Sequence, residues 1–309
     1  MKNTHIIKPS ILSETGSLKY VILGIPNDFG GIPNVEDCYD PSSIYYLKNN
    51  LFPKQSNITK EMNAFLEVLE KYNVVVLRPE NIKGLNQVFS RDLGFVIGDT
   101  LIISNVIDNR SKEIPAIKNI IDRITNKKVL NLNEELIIEG GDVCVTKGHV
   151  FIGFSKSADI KKYKVARTNH SSVDFISNKF PNFKVMGFEL FKSDQNKDEN
   201  TLHLDCCFQP IGNQYGIIAP ESFKNKSDIN YLENLFGKSN LFYLTKSEKN
   251  IMSSNIFSIS ETVVVSDSRF KRLNNWLRKR NFSIEEINYS EVSKMGGLFR
   301  CSTLPLIRE

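Results

Sequence analysis

Four short segments of the chain combine acidic residues, a histidine or a cysteine with glycines or with the start of an apolar run. A histidine beside carboxylates can move protons, and a cysteine thiolate is nucleophilic when positive charge lies close to it. Paired carboxylates bind a planar guanidinium, because it offers them parallel N–H donors. The set therefore indicates nucleophilic attack on a cationic substrate. The four segments are SRD (90–92), EGGD (139–142), HLD (203–205) and GGLFRC (296–301).

These residue types each have a place in one reaction. We expect Cys301 to be the nucleophile and His203 to carry protons to and from the reacting nitrogen. Glu139 would fix the tautomer of His203 and raise its pKa, while Asp92 and Asp205 would bind the cation. In the strand predicted for HLD, the period of two places His203 and Asp205 on one face. Each of these residue types, taken singly, is more often found as a cap, turn or core residue than in an active site. The hypothesis therefore depends on their occurrence together.

The elements that must position these residues recur along the chain. Four segments share one form, in which apolar runs rich in β-branched and aromatic residues flank a short glycine-containing or polar turn, as in β-hairpins. Helix-like stretches lie between them, such as Glu113–Ile124 and Ser268–Asn281. The pattern therefore predicts a chain that repeats a hairpin-plus-helix unit. The predicted hairpins cover residues 94–104, 142–155, 206–220 and 255–267.

A fifth unit is predicted near the N-terminus, from the strand KYVILGIP (19–26), a helix over 58–72 and the strand NVVVLRP (73–79). Recurring units of this size are typical of a propeller or an array, in which each unit buries its apolar face against its neighbours. The alternative is an α+β domain whose strands merely recur. No low-complexity linker divides the chain, so we expect one α/β domain over residues 1–309.

Composition excludes several classes of function. The chain has 309 residues, with 40 Lys and Arg against 35 Asp and Glu. This mild positive charge is spread along the chain and does not indicate a nucleic-acid surface. No long apolar run or signal-peptide core is present, so we expect a cytoplasmic protein with no membrane partner. Five cysteines without a C-x-x-C pair and only four histidines predict no disulfide framework, metal or cofactor, and leave a small-molecule substrate as the expected partner.

The same segments resemble motifs of the guanidino-group-modifying superfamily, which includes arginine deiminases, dimethylarginine dimethylaminohydrolases and amidinotransferases. FSRDLGFVIGDTLIIS, IEGGDVCV, TLHLDCCFQPIG and MGGLFRCSTLPL are similar to its four motifs, in the same order. The resemblance implies a five-bladed α/β-propeller with the site on the central axis. It assigns the nucleophile to Cys301, the acid and base to His203 and the partner of that histidine to Glu139. Asp92 and Asp205 would bind the guanidinium.

The resemblance also implies a mechanism with two possible endings. Cys301 attacks the guanidinium carbon, His203 protonates the departing amine, and a thiouronium-type adduct forms. Hydrolases let water attack that adduct, whereas amidinotransferases admit an acceptor amine. EGGD, Arg300 before the cysteine and the ending STLPLIRE favour a hydrolase. An amidinotransferase is the alternative, because SLKYVILG, the helical stretch after it and the HLD segment are also similar to that branch.

Three positions bear on the substrate. Deiminases and dimethylargininases carry a carboxylate-binding arginine shortly after an I-G-x-S strand, where this chain has Lys156 and Ser157. That departure argues against free arginine. Arg110 matches another carboxylate-binding arginine and is a candidate substrate-binding residue. Asp205 stands where dimethylargininases tend to have a non-acidic residue, so two carboxylates would favour a guanidinium with an unsubstituted end.

Two rival classes are weaker. A non-enzymatic guanidinium-binding scaffold would be expected to have lost Cys301 or His203, and both are present. A metal-dependent ureohydrolase would need several histidine and aspartate ligands at short spacing, and four scattered histidines do not supply them.

Overall fold

The computed structural model describes residues 6–309, whose strands form five sheets of three strands each. The sheets have the orders β15-β1-β2, β3-β4-β5, β6-β7-β8, β11-β10-β9 and β12-β13-β14. The strands are β1 Leu18–Leu23, β2 Val75–Leu77, β3 Gly94–Ile97, β4 Thr100–Ile103, β5 Val129–Asn131, β6 Val143–Thr146, β7 His149–Phe154, β8 Lys184–Glu189, β9 Phe208–Ile211, β10 Tyr215–Ile218, β11 Leu241–Tyr243, β12 Phe257–Ser258, β13 Val263–Asp267, β14 Ser283–Ile287 and β15 Thr303–Arg308.

All five sheets have the same internal topology. Two strands pair antiparallel, as β3 and β4 do with Gly94 opposite Ile103, and a third strand then pairs parallel to the second. A parallel third strand needs a crossover connection, which the chain supplies through helical segments. The four predicted hairpins and the five-bladed α/β-propeller are therefore confirmed.

One blade joins the two ends of the described chain. β1 is its central strand, and it pairs parallel with β2 and antiparallel with β15, with Leu23 opposite Thr303. β15 thus takes the place that the first hairpin strand has in the other blades. The ring of blades is closed by backbone hydrogen bonds between segments almost three hundred residues apart in sequence.

The helices differ from expectation mainly in one place. The helix predicted over Glu113–Ile124 is a 3-10 helix over Asp108–Ile117 followed by a single α-turn. Pro115 lies inside it and has no N–H to donate, so a regular α-helix cannot run through this segment. The α-helices are α1 Pro41–Lys48, α2 Gln55–Lys71, α3 Lys118–Ile121, α4 Ser157–Lys162, α5 His170–Lys179, α6 Lys226–Phe236, α7 Lys246–Asn250, α8 Lys271–Arg278 and α9 Ser290–Ser293.

The inner strands carry the core. Strands β3 and β9 are buried along their whole length, and their apolar side chains pack between neighbouring blades and under the helices. Burial on both faces explains why β3, with the sequence GFVI, has no alternation of apolar and polar residues. Within residues 6–309, every helix is too short or too polar to cross a lipid bilayer.

The four motif segments all end just before the first strand of a blade. SRD, EGGD and HLD lie on 3-10 turns over Ser90–Leu93, Gly140–Asp142 and Leu204–Cys206. The prediction that HLD is a strand is wrong. His203 has extended backbone, and the chain then turns tightly before β9, so the period of two does not apply between His203 and Asp205.

Candidate active site

The turns before the first strands of all five blades meet near the propeller axis. Asp92, Asn255 and Cys301 each lie two residues before such a strand, in the blades that begin with β3, β12 and β15. Glu139 and His203 come from the corresponding turns before β6 and β9. All five side chains are buried, so the repeated topology brings residues from distant parts of the sequence into one place.

His203 and Glu139 form a hydrogen-bonded pair. The His203 Nε2 atom lies 3.0 Å from Oε2 of Glu139, and both side chains are fully buried. Burial alone lowers the pKa of His203, but the carboxylates of Asp92, Asp142 and Glu139 outweigh it, so the pKa is raised. The pKa of Glu139 is lowered, because Arg167 and His203 offset the effect of its burial. The structure therefore favours an imidazolium beside a carboxylate.

The other nitrogen of His203 faces Asp92. His203 Nδ1 lies 3.6 Å from Oδ1 of Asp92, which is too long for a hydrogen bond. Both atoms are buried and neither has a hydrogen-bond partner. Buried polar atoms are almost always satisfied in folded proteins. These two atoms therefore point to a ligand that supplies the missing hydrogen bonds.

Cys301 is 3% exposed and lies beside two carboxylates. Its Sγ atom is 3.7 Å from Oδ2 of Asp205. Burial raises the pKa of this thiol well above its ordinary value, and the negative charges of Asp205 and Asp92 raise it further. Burial and the two carboxylates therefore disfavour the thiolate in the empty site, and a positive charge close to the sulfur would favour it.

Asp205 lies in a buried ion pair rather than at the cavity wall. Its Oδ2 atom accepts a hydrogen bond of 2.8 Å from Nη1 of Arg300, and Nη2 of Arg300 lies 3.0 Å from Oε1 of Glu14. All three side chains are buried. The direct contact with substrate that we expected of Asp205 remains a prediction, because one of its oxygens is already occupied.

Two adjoining cavities lead to this cluster. The inner one is small, about 10 Å³, and is lined by Asp92, His203 and Cys301 among others. The outer one, of about 340 Å³, lies under the segment 29–43. Tyr39 and Asp40 line both cavities, so they stand between the reacting groups and the outer space.

The sequence model of the family described as "N,N dimethylarginine dimethylhydrolase, eukaryotic" matches residues 47–308. The matched range includes the buried axial residues described above but not Glu14 or the segment 29–43, which contains Tyr39 and Asp40. The chain belongs to this family. It is therefore a guanidino-modifying enzyme, as the resemblance of its motifs implied.

This dimethylarginine dimethylhydrolase family member is also similar to several other proteins and solved structures. The chain is 29% identical over 300 residues to the uncharacterized protein YkgA of Bacillus subtilis (strain 168), covering 96% of this chain and 94% of YkgA. The N-terminal domain of ArgZ, an arginine dihydrolase from cyanobacteria, superposes with a TM-score of 0.77 at 18% identity, covering 94% of this chain and 98% of that domain. The amidinotransferase SxtG from Microseira wollei gives 0.76 at 16%, with 97% of each chain covered. These superpositions show a shared fold.

Arg110, which the family resemblance suggested as a substrate ligand, has its donors occupied by protein groups. It forms an ion pair with Asp92, and its Nε and Nη2 atoms each donate to Glu113 at 2.7 Å. Nη2 also donates to the carbonyl of Phe89 at 2.7 Å. In this geometry Arg110 fixes the carboxylate of Asp92, while its contact with a substrate carboxylate stays a prediction.

Arg167 is a residue that sequence reasoning missed. The backbone N–H of Ser155 donates to the carbonyl of Thr168, so residues 156–166 leave the sheet and return beside the point of departure. Arg167 therefore lies in space shortly after the I-G-x-S strand, where the family carries an arginine. Lys156 instead pairs with Glu189 at the surface. The expectation against free arginine, which rests on Lys156 and Ser157, therefore stays a prediction, and Arg167 becomes a further candidate for the position of that arginine.

Arg167 is buried and lines the inner cavity. Its Nη1 atom lies 3.3 Å from Oε2 of Glu139, and Nη2 donates to the carbonyl of Tyr39 at 2.9 Å. The guanidinium also lies over the Tyr39 ring, 5.2 Å from its centroid. Arg167 therefore connects the carboxylate that holds His203 to the segment that separates the two cavities.

Asp92, Glu139 and His203 also have ligand atoms within 4.8 Å of one another, a spacing that a metal ion could use. Two of these groups already have a cationic partner, since Arg110 pairs with Asp92 and Arg167 with Glu139. A divalent cation would compete with both guanidinium groups. The arrangement therefore suits proton transfer and guanidinium binding better than metal binding.

Gly141 gives a first test of this packing. A Cβ atom built at Gly141 would lie 2.5 Å from Nδ1 of His203 and 2.8 Å from Oδ1 of Asp92. We expect Gly141→Ala to displace the imidazole and to lower kcat by one to two orders of magnitude, since misplacement of a catalytic group by about 1 Å can cost about 100-fold. Steady-state kinetics checks this. Gly148→Ala is the control, because a Cβ there meets nothing within 4 Å, although its φ of +75° makes the change a strained one away from the site. Unchanged kcat in Gly141→Ala would contradict the packing.

Proposed function

We propose that this protein is a cysteine-dependent hydrolase that cleaves a C–N bond of an arginine-like guanidino substrate through a covalent adduct on Cys301. The observation that carries the proposal is the pair of buried, unpartnered atoms Asp92 Oδ1 and His203 Nδ1, which line one small cavity with Cys301. A guanidinium N–H can donate to the carboxylate oxygen. The imidazolium of His203 can then donate its proton to the nitrogen that departs from the guanidinium carbon.

Substrate binding would also activate the nucleophile. The carboxylates of Asp205 and Asp92 and the burial of Cys301 disfavour a thiolate in the empty site. A guanidinium bound at Asp92 places a full positive charge next to the sulfur, and an opposite charge at short range lowers the pKa of a thiol. In this proposal a bound cation increases the fraction of Cys301 that is ionised.

The chemical steps then follow from the positions of the residues. The thiolate of Cys301 attacks the central guanidinium carbon, and His203 donates its proton to the departing amine. Glu139 holds the ring and stabilises its protonated form. Water attacks the thiouronium adduct with His203 as the base, and collapse of the intermediate releases the ureido product and the thiolate.

The rest of an arginine-like substrate would lie in the outer cavity. The carbon chain passes Tyr39 and Asp40, which line both cavities. Arg167 lies at the same passage and is a candidate to bind a carboxylate, provided that it gives up its contact with the Tyr39 carbonyl. This assignment supports an amino acid as substrate.

A hydrolase is supported over an amidinotransferase by the family description and by the dihydrolase ArgZ, one of whose structures holds a covalently bound reaction intermediate. The amidinotransferase SxtG shares the fold to a similar degree, so the second function stays open to test. Incubation with guanidino compounds, with and without acceptor amines, should release ammonia or an alkylamine and a ureido product. Transfer of the amidino group to an added amine, with no ureido product, would establish the alternative.

The inner cavity predicts selectivity for an unmethylated guanidinium. A dimethylated nitrogen has no N–H to donate to the buried Oδ1 atom of Asp92, so it would strand that carboxylate oxygen, which has no hydrogen-bond partner of its own. We expect kcat/KM for the unmethylated compound to exceed that for the asymmetrically dimethylated one by at least about 100-fold. A direct comparison of the two substrates decides the point. Equal or faster turnover of the dimethylated compound would place the activity with the dimethylarginine hydrolysis that the family description names.

A further inference from the structure

Asn255 is a fully buried polar side chain at the propeller axis with no role in the steps above. It lies two residues before β12, in the turn that corresponds to those of Asp92 and Cys301. The blade that begins with β12 carries none of the four motif segments, so Asn255 is its contribution to the axis. The residue does not line the inner cavity, and it contacts the site through Cys301.

Both ends of the Asn255 amide bind Cys301. The backbone N–H of Cys301 donates to Oδ1 of Asn255 at 3.1 Å, and Nδ2 of Asn255 donates to Sγ of Cys301 at 3.1 Å. The orientation of the amide is fixed, because a backbone N–H can only donate and so must face the carbonyl oxygen. The NH₂ group therefore faces the sulfur, whichever protonation state the sulfur has.

The groups around the sulfur otherwise favour the neutral thiol. Burial and the carboxylates of Asp205 and Asp92 raise its pKa, and a backbone hydrogen bond from Leu298 and the charge of Arg300 offset this only in part. Arg300 also shares its charge with Asp205 and Glu14. A donor in direct contact with the sulfur is therefore well placed to assist ionisation.

We propose that Asn255 is a further catalytic residue, whose amide N–H stabilises the thiolate of Cys301 both before attack and when the adduct breaks down. The proposal rests on the proposed function in one respect, namely that Cys301 is the nucleophile. Hydrogen bonds to a charged acceptor are stronger than those to a neutral one, so the amide favours the thiolate over the thiol. The same residue fixes the direction from which the sulfur meets the substrate.

Asn255→Asp tests the N–H that donates to the sulfur separately from the oxygen that accepts the backbone N–H of Cys301. The change keeps the shape and the oxygen that accepts the Cys301 N–H, and replaces the NH₂ group by an oxygen that repels a thiolate. We expect the apparent pKa of Cys301 to rise by about one unit or more, so that alkylation by iodoacetamide at neutral pH slows by about tenfold or more. The pH dependence of the alkylation rate measures this without substrate, and peptide mass analysis locates the modified cysteine. Asn255→Ala should shift the profile in the same direction by less.

Asn274→Asp is the matched control. Asn274 is also fully buried in the same blade, where it accepts from Ser266 and donates to the carbonyl of Asp267, away from the sulfur. It should leave the alkylation profile of Cys301 unchanged even where it lowers the melting temperature. An unchanged pH profile of alkylation in both Asn255 variants would overturn the proposal, and so would an equal shift of that profile in Asn274→Asp. If Asn255→Asp does not fold, the profile of Asn255→Ala decides. A shifted profile in a protein that turns over no guanidino compound would support the thiolate role and reject the proposed function.

Discussion

Replacement of Cys301 by serine is expected to abolish the covalent adduct and to reduce turnover by at least about 10⁴-fold, since the proposed reaction passes through a covalent bond to the sulfur of this residue. The change barely alters side-chain volume, so the fold should persist. Stopped reactions analysed by intact-protein mass spectrometry should show the adduct in the wild type and not in the variant.

Cys144→Ser is the matched control for this variant. Cys144 is fully buried in β6 and lines neither of the two cavities, so the same sulfur-to-oxygen change is made away from the reacting atoms. We expect the control to keep its kcat at a temperature where it is folded. If Cys301→Ser retained more than a small fraction of wild-type turnover, the adduct mechanism would be wrong.

His203→Ala is the second change with a large expected effect. General acid and base catalysis by one residue is typically worth about 10² to 10⁴ in rate, and the proposal uses His203 in both half-reactions. We therefore expect a loss of at least 10²-fold in kcat, with a smaller loss in Glu139→Gln, which removes the charge that holds the imidazolium. Pre-steady-state measurement of amine release isolates the first half-reaction. Wild-type rates in both variants would show that groups other than His203 and Glu139 transfer the protons.

The pH dependence of stability and of turnover tests whether Glu139 raises the pKa of His203. Because the folded-state pKa of His203 is raised, its pair with Glu139 stabilises the fold fully below the unfolded-state pKa and loses this contribution as pH rises through the folded-state pKa. The acid function in the first half-reaction should disappear over the same upper range. In Glu139→Gln the imidazole should titrate at lower pH, which NMR of the ring protons can follow. An unchanged titration would contradict the pairing.

The hairpins and their order could be predicted because the signals are local. Apolar runs flank short turns, and every one of the four predicted hairpins pairs as expected. The proximity of Cys301, His203 and Glu139 could be inferred because each follows or precedes such a hairpin at a similar place. The resemblance then supplied roles that spacing alone did not give.

What could not be predicted depends on contacts between distant segments. The ion pair of Asp205 with Arg300 joins residues from different blades, and the occupied donors of Arg110 depend on how its 3-10 helix packs. Arg167 lies at the site because the backbone N–H of Ser155 donates to the carbonyl of Thr168, which brings the chain back to the sheet after residues 156–166. Asn255 carried one signal that was overlooked, namely its place two residues before the first strand of a blade.

The closure of the ring by β15 also sets the order in which the axial residues can come together during synthesis. Cys301 leaves the ribosome after the other axial residues, and it reaches His203 only once β15 has paired with β1. A nascent chain, which folds from its N-terminus while translation continues, therefore holds a proton relay and a cation-binding carboxylate without a nucleophile. The pairing of β15 with β1 therefore does two things at once, since it closes the ring and brings Cys301 to the axis.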